Sequence, residues 1–221
     1  MIGPITIKVC GITRAADASM AIHLGADWIG VNVWPKSPRY VPAESRLALL
    51  REIPTKSRVA IAVNPTPQEA RSFIDEGFTA VQVHFDPADK SYDVGALAKI
   101  MGSALWLAPR LPEGQPFPTD LLPLAQTFIH DAHQVGAFGG TGKRADWKRY
   151  AEALKAHPKH EWILAGGLGP DNVAEAYTAG ARFLDLNSQV EVAPGLKSAE
   201  KLHKCVEALH KIAQTQATSG T

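Results

Sequence analysis

IKVCGITRAADASMAIHLGAD, residues 7–27, decides between two folds. A short β-type run, 6–9, passes through a turn reading CGIT into an amphipathic segment, 14–24, that Gly25 ends. Glycine just past a helix suits the left-handed position at its C-terminus. A strand followed by a helix is part of a βαβ unit, and such units build parallel sheets. An open sheet that binds a dinucleotide carries GxGxxG in this first turn. CGIT is not that motif, so the stretch favours a closed barrel.

The same alternation repeats outward from it. Further strands are predicted at 28–33, 58–63, 80–84, 104–108, 127–130, 161–165 and 183–187. Helices are predicted at 43–51, 67–75, 93–101, 145–156, 171–179 and 198–214, with Gly77, Gly102 and Gly180 just beyond three of them. Segment 119–124 is short and weak, so the Pro-rich stretch 109–123 reads as a loop in place of a helix. Eight strand–helix units in 221 residues predict an α/β protein, a single-domain (β/α)8 barrel of the TIM type. The barrel is assigned to residues 1–213, and the small polar tail 214–221 is expected to fray.

The formal net charge of +1 gives no global field for nucleic acid or an anionic membrane, so neither is an expected partner. Anion binding must be local. Cys10 and Cys205, far apart, make no disulfide framework and suit a reducing compartment. The N-terminus lacks the basic and apolar segments of a signal peptide, and no apolar run has the length of a membrane span. The expected location is the cytoplasm.

In such a barrel, chemistry sits at the C-terminal ends of the strands. Lys8 and Cys10 share one side of the first strand, opposite Ile7 and Val9. A thiol titrates near ~8.5 and a neighbouring ammonium favours its thiolate. Cys10 is therefore a candidate base or nucleophile, against the alternative of a small buried hydrophobe. Arg39, in WPKSPRYV, is a candidate clamp on a carboxylate or else a solvated surface cation. Gln82 and His84 share a face and need partners there, from a ligand or from the core. Asp131, on the face of Ile129, is a candidate acid if a dry site raises its pKa. His130, Asp131 and His133 resemble a loose metal cluster, but adjacent strand residues point opposite ways, so no metal is expected.

GAFGGTGKR, residues 136–144, fails the phosphate-loop motif at Ala137 and Arg144 and reads as a lid or a backbone anion contact. In AGGLGPDNV, Gly166 and Gly167 permit close backbone approach, and Pro170–Asp171 looks like a helix start whose N–H groups suit phosphate. Asp185 and Asn187 share a face of the last strand. A thiol, a carboxylic acid, an arginine and a glycine-rich anion site at one end suit acid–base chemistry on a small phosphorylated substrate with a second anionic group.

KVCGIT, GAD followed by PKSPRYV, AVNP, VQVH, an aspartate before GGTGK, the tryptophan of ADW and AGGLGPDNV occur in this order. From residue 7 to about 197, the chain resembles phosphoribosylanthranilate isomerase, the barrel of tryptophan biosynthesis. KxCGIT and SPRYV together carry most of the specificity. The resemblance implies an Amadori rearrangement of an aminoaldose to an aminoketose, with no cofactor and no metal. It implies Cys10 as general base, Asp131 as general acid, Arg39 near the anthranilate carboxylate, and Gly166 and Gly167 in the phosphate loop. Lys8, Gln82, His84, Gly140, Asp185, Asn187 and Ser188 complete the expected substrate-binding set, in a monomer or homodimer. Two places depart from the family pattern. Phe85 follows His84 where the family has glycine, and Gln189 stands where the second half of the phosphate site has glycine. A side chain at 189 restricts φ and crowds close backbone approach, while Asn187 offers a compensating donor. The alternatives are another phosphosugar or aminoaldose isomerase of the barrel class, such as the related one of histidine biosynthesis, and a catalytically silent phosphometabolite binder. The Cys/Asp pair argues against both, and the single good glycine site against the histidine-pathway enzyme.

Overall fold

The computed structural model describes residues 4–112, 114–131 and 146–219, with side chains as far as residue 215 in the last helix. Eight parallel strands close into a barrel in chain order. They are β1 (Thr6–Val9), β2 (Trp28–Asn32), β3 (Arg58–Val63), β4 (Ala80–Phe85), β5 (Leu105–Pro109), β6 (Thr127–His130), β7 (Glu161–Leu164) and β8 (Phe183–Leu186). Closure brings Lys8 of β1 opposite Asp185 of β8. The expected barrel is what the chain forms.

Around it lie α1 (Ala15–His23), α2 (Ala43–Arg51), α3 (Pro67–Asp75), α4 (Val94–Met101), α5 (Trp147–Ala156), α6 (Val173–Thr178) and α7 (Ala199–Ser219). The weak segment after β5 is a 3-10 turn, Thr119–Leu124, with Pro123 inside it. Thr66 and Glu69 form a reciprocal capping box on α3, and Asp93 and Asp146 cap α4 and α5 through their side chains. Those caps are why α4 and α5 begin after residues 93 and 145. The helix expected from 171 begins only at Val173, because the preceding turn is held by Asn172. The last helix continues to Ser219, past residue 214, where fraying was expected to begin. A small antiparallel hairpin, β9 (Glu191–Ala193) and β10 (Leu196–Lys197), follows β8 and was not expected at all.

The strands are buried on both faces, as parallel strands under helices must be. Outward residues such as Val9, Val83, Phe128 and Leu184 pack against the helices. Inward residues form a second core of Val59, Ile61, Trp106, Ile129, Ile163 and Phe183, with Trp28 against it. Trp106 stands edge-on to Trp28 at 4.8 Å and to Phe183 at 5.8 Å. These three come from the N-terminal ends of their strands, so an aromatic plug fills that end of the barrel. Polar inward residues are left for the other end. Among the described residues no helix is long and apolar enough to cross a membrane.

Candidate active site

β1 turns Lys8 and Cys10 into the barrel, as its alternation requires. Gly30 of β2 faces them. A Cβ there would lie 3.0 Å from Cys10 Sγ and 3.3 Å from Lys8 Cε, so the glycine leaves the room that ammonium and thiol share. Lys8 is fully buried and Nζ donates to Asp185 Oδ2 at 2.7 Å. Asp185 Oδ1 is buried with no hydrogen-bond partner among the described residues. Burial works against the Lys8 charge, but Asp185 and Cys10 outweigh it and hold the ammonium above its usual pKa. Burial pushes the Cys10 thiol up and the charge of Asp185 adds to the rise, while the positive charges of Lys8 and Lys197 pull against it without reversing it.

Gly11 follows the thiol with φ +72°, a left-handed conformation that favours glycine. A Cβ there would run into Arg39 Cδ and approach Asn187 Oδ1 to 2.7 Å. The glycine after Cys10 thus turns the chain and makes space for the arginine.

Arg39 is buried, so the surface reading of it does not hold. Its Nε and Nη2 donate to Glu191 at 2.9 and 2.6 Å, a bidentate pair. Lys197 Nζ donates to the same carboxylate at 2.7 Å and to Asn187 Oδ1 at 3.1 Å. Glu191 and Lys197 ride on the β9–β10 hairpin and were missed from sequence. The signal was present: VEVAPGLK sets a Pro-Gly turn between two short runs.

On β4, Gln82 Nε2 meets His84 Nε2 at 2.9 Å. The imidazole is held neutral, its pKa lowered to about 4 by burial and then by the charge of Lys8. His84 takes a proton on unfolding, so the unfolded chain binds more protons between its ordinary value of 6.5 and about 4. Stability is whole above that window and is lost as pH falls through it. The denaturant midpoint should therefore be lower at about pH 5 than at about pH 7, and His84→Gln should shrink the difference. A wild-type midpoint indifferent to pH across that interval would contradict a neutral His84.

Asp131 is half-buried just past β6. It continues the alternation of Ile129, which lies in the inner core. His130 points the other way, with its ring beside Tyr150 of α5 and Nε2 at 3.0 Å from the Asp146 carbonyl. That opposition separates His130 from Asp131 as potential ligands. His133 and Gly140 lie outside the described residues. Among the described residues no three metal-ligating side chains converge.

After β7, Gly166 and Gly167 adopt φ +89° and +67°. Asn172 fixes this turn by accepting from the Gly169 N–H and donating to the Gly167 carbonyl, both at 2.9 Å. Gly169 lies so close to Gln189 that a Cβ would sit 2.7 Å from that side chain's own Cβ. Glycine at 169, having no side chain, is what makes room for Gln189. Ser188 opens the 3-10 turn Ser188–Val190 that carries it. A cavity of ≈ 460 Å³ is lined here by Gly167, Gly169, Asn172, Gln189, Lys201 and Lys204.

A family model described as N-(5'phosphoribosyl)anthranilate (PRA) isomerase matches residues 7–208. The N-(5'-phosphoribosyl)anthranilate isomerase of Bordetella avium is 34% identical over 93% of this chain and 95% of its own length. That of Citrifermentans bemidjiense is 32% identical over 94% and 98%. The crystal structure of the Thermus thermophilus phosphoribosyl anthranilate isomerase superposes with a TM-score of 0.77 at 28% identity, over 94% of this chain and 100% of that one.

Proposed function

Because this chain belongs to the phosphoribosylanthranilate isomerase family, we propose that it rearranges N-(5'-phosphoribosyl)anthranilate to the corresponding carboxyphenylamino-deoxyribulose phosphate in tryptophan biosynthesis, with Cys10 and Asp131 as the proton-transfer pair. One observation carries the reading of the pair. A thiol and a carboxyl group end two inward-facing strand registers at the polar end of a barrel whose other end is packed with aromatic rings.

Asp131, protonated, gives its proton to the furanose ring oxygen, and the bond from that oxygen to C1′ breaks. The electron pair of the anthranilate nitrogen forms the Schiff base. Cys10, as thiolate, takes the proton from C2′, and those electrons form the enolamine, which tautomerises to the ketone. No external reductant or oxidant enters. Arg39 and Lys197 supply positive charge for the anthranilate carboxylate. Gly166 and Gly167 receive the phosphate through backbone N–H groups. Lys8, Gln82, His84, Asp185, Asn187, Ser188 and Gly140 complete the proposed substrate-binding set. The substrate is a small phosphorylated molecule, and the expected location is the cytoplasm.

The test is the fluorescence of freshly formed phosphoribosylanthranilate, with the next pathway enzyme present to remove product. Rapid loss of the signal supports the reading, and a well-folded protein that leaves it unchanged overturns it. Gln189 sets a secondary expectation. Gln189→Gly should clear side-chain bulk from beside the glycine turn after β7 and lower KM by up to about tenfold, equivalent to ~1.4 kcal/mol. An unchanged or raised KM would mean that the glutamine does not obstruct the phosphate.

A further inference from the structure

We propose that Lys8 is a positioning residue for proton transfer at Cys10: its buried ammonium, fixed by Asp185, is the counter-charge that lets the thiol ionise inside the barrel. The inference rests on the reading of Cys10 as the base. Its first support is geometric. Lys8 and Cys10 are two apart on one strand, both inward, and both crowd the same point above Gly30. Lys8 gives one contact to Asp185 Oδ2. An ammonium carries three donors, so the carboxylate does not exhaust it.

The second support is charge balance. The buried charged groups around Cys10 are Lys8 from β1, Arg39 from the loop after β2, Asp185 from β8, Glu191 from β9 and Lys197 from β10. His84 from β4 is neutral, and Asp131, the proposed acid, ends β6 three strands around the ring. Three cations face two carboxylates in this set. Arg39 and Lys197 share Glu191, while Lys8 and Asp185 pair with each other. Buried charge is costly unless compensated, and a thiolate at Cys10 completes the count. Cys205 provides the contrast. It is buried with Asp171 as a charged neighbour, and burial first and that carboxylate second push its thiol up to about 12.

The test is a pH titration of thiolate ultraviolet absorbance, each protein measured against its own Cys10→Ala counterpart so that Cys205 and the tyrosines cancel. Lys8→Met should raise the Cys10 midpoint by about one unit or more, leaving roughly tenfold less thiolate at neutral pH. Its kcat should fall with the thiolate fraction and recover as pH is raised, which a merely structural defect would not do. Asp185→Asn removes an anion and should move the midpoint the opposite way, downwards. Should Lys8→Met fail to fold, Asp185→Asn still decides. A midpoint that does not move in the folded variants overturns the role of Lys8 while leaving that of Cys10 standing. Wild-type turnover in Cys10→Ala overturns the base reading itself, and the proposal with it.

Discussion

Asp131→Asn and Cys10→Ala should each lower kcat by about 10²–10⁴-fold, the usual contribution of one positioned proton-transfer group. The amide keeps the shape of the carboxyl group but has no acidic proton to give the ring oxygen. The methyl group of alanine has nothing to accept the C2′ proton. In the proposed mechanism both residues serve one rearrangement, so the double variant should lose far less than the product of the single losses. Folding should survive both changes. Asp131 is half-buried at a strand end, and Cys10→Ala removes only a sulfur. Affinity for inorganic phosphate should stay near wild type, because the glycine turn after β7 touches neither side chain. Single-turnover kinetics with the fluorescent substrate, alongside a thermal melt, measures all of this. A loss below about tenfold in either folded variant would remove that residue from the acid–base pair.

The largest expected effect on stability lies at Glu191. Its carboxylate holds Arg39 through two bonds, Lys197 at 2.7 Å and the Gly195 N–H at 3.1 Å. Glu191→Ala strands two buried cations together, and losing one partner of a buried ion pair costs about 3–5 kcal/mol. Urea unfolding should report this as a shift of the midpoint with little change in slope. Glu191→Gln, which keeps the acceptor oxygen, should cost less. The pH dependence has a definite sign. Burial opposes the charge of Glu191, but Arg39 and Lys197 outweigh it and hold the carboxyl below its usual pKa of 4.5. Its stabilisation is therefore present above about pH 4.5 and is lost as pH falls through the lower folded value. Wild-type protein should lose this increment in acid, and Glu191→Gln should lack it. Equal stability of wild type and Glu191→Ala at neutral pH would mean that the hairpin does not anchor Arg39.

The barrel was legible because its signals are local and repeated: apolar runs, glycines after helices, and CGIT in the first turn. The inward register of Lys8, Cys10, Gln82, His84, Asp131 and Asp185 followed from strand alternation alone. The partners of Arg39 did not. Residue 39 and residue 191 are 152 positions apart, and nothing in WPKSPRYV says that its guanidinium meets a carboxylate of this chain. The hairpin escaped because a three-residue strand and a two-residue strand are too short for a periodicity to form. The late start of α6 was hidden for another reason. Asn172 spends its side chain on the turn behind it rather than on the helix ahead. Pro170 and Asp171 look like a helix start in sequence, but the backbone is still turning there.

The edge-to-face rings of Trp28, Trp106 and Phe183 make the barrel a vessel with one opening. Whatever binds above them enters and leaves by the same mouth, and water that exchanges with the thiol comes by that route too. The floor and the rim can then change separately. Residues of the plug set how firmly the vessel holds its shape, while the rim sets what it admits. A search for altered substrate range belongs at Arg39, Gln189 and the hairpin. Enlarging the chamber by trimming Trp106 would instead open a void in the packed end of the barrel and weaken the frame that aims Cys10 and Asp131.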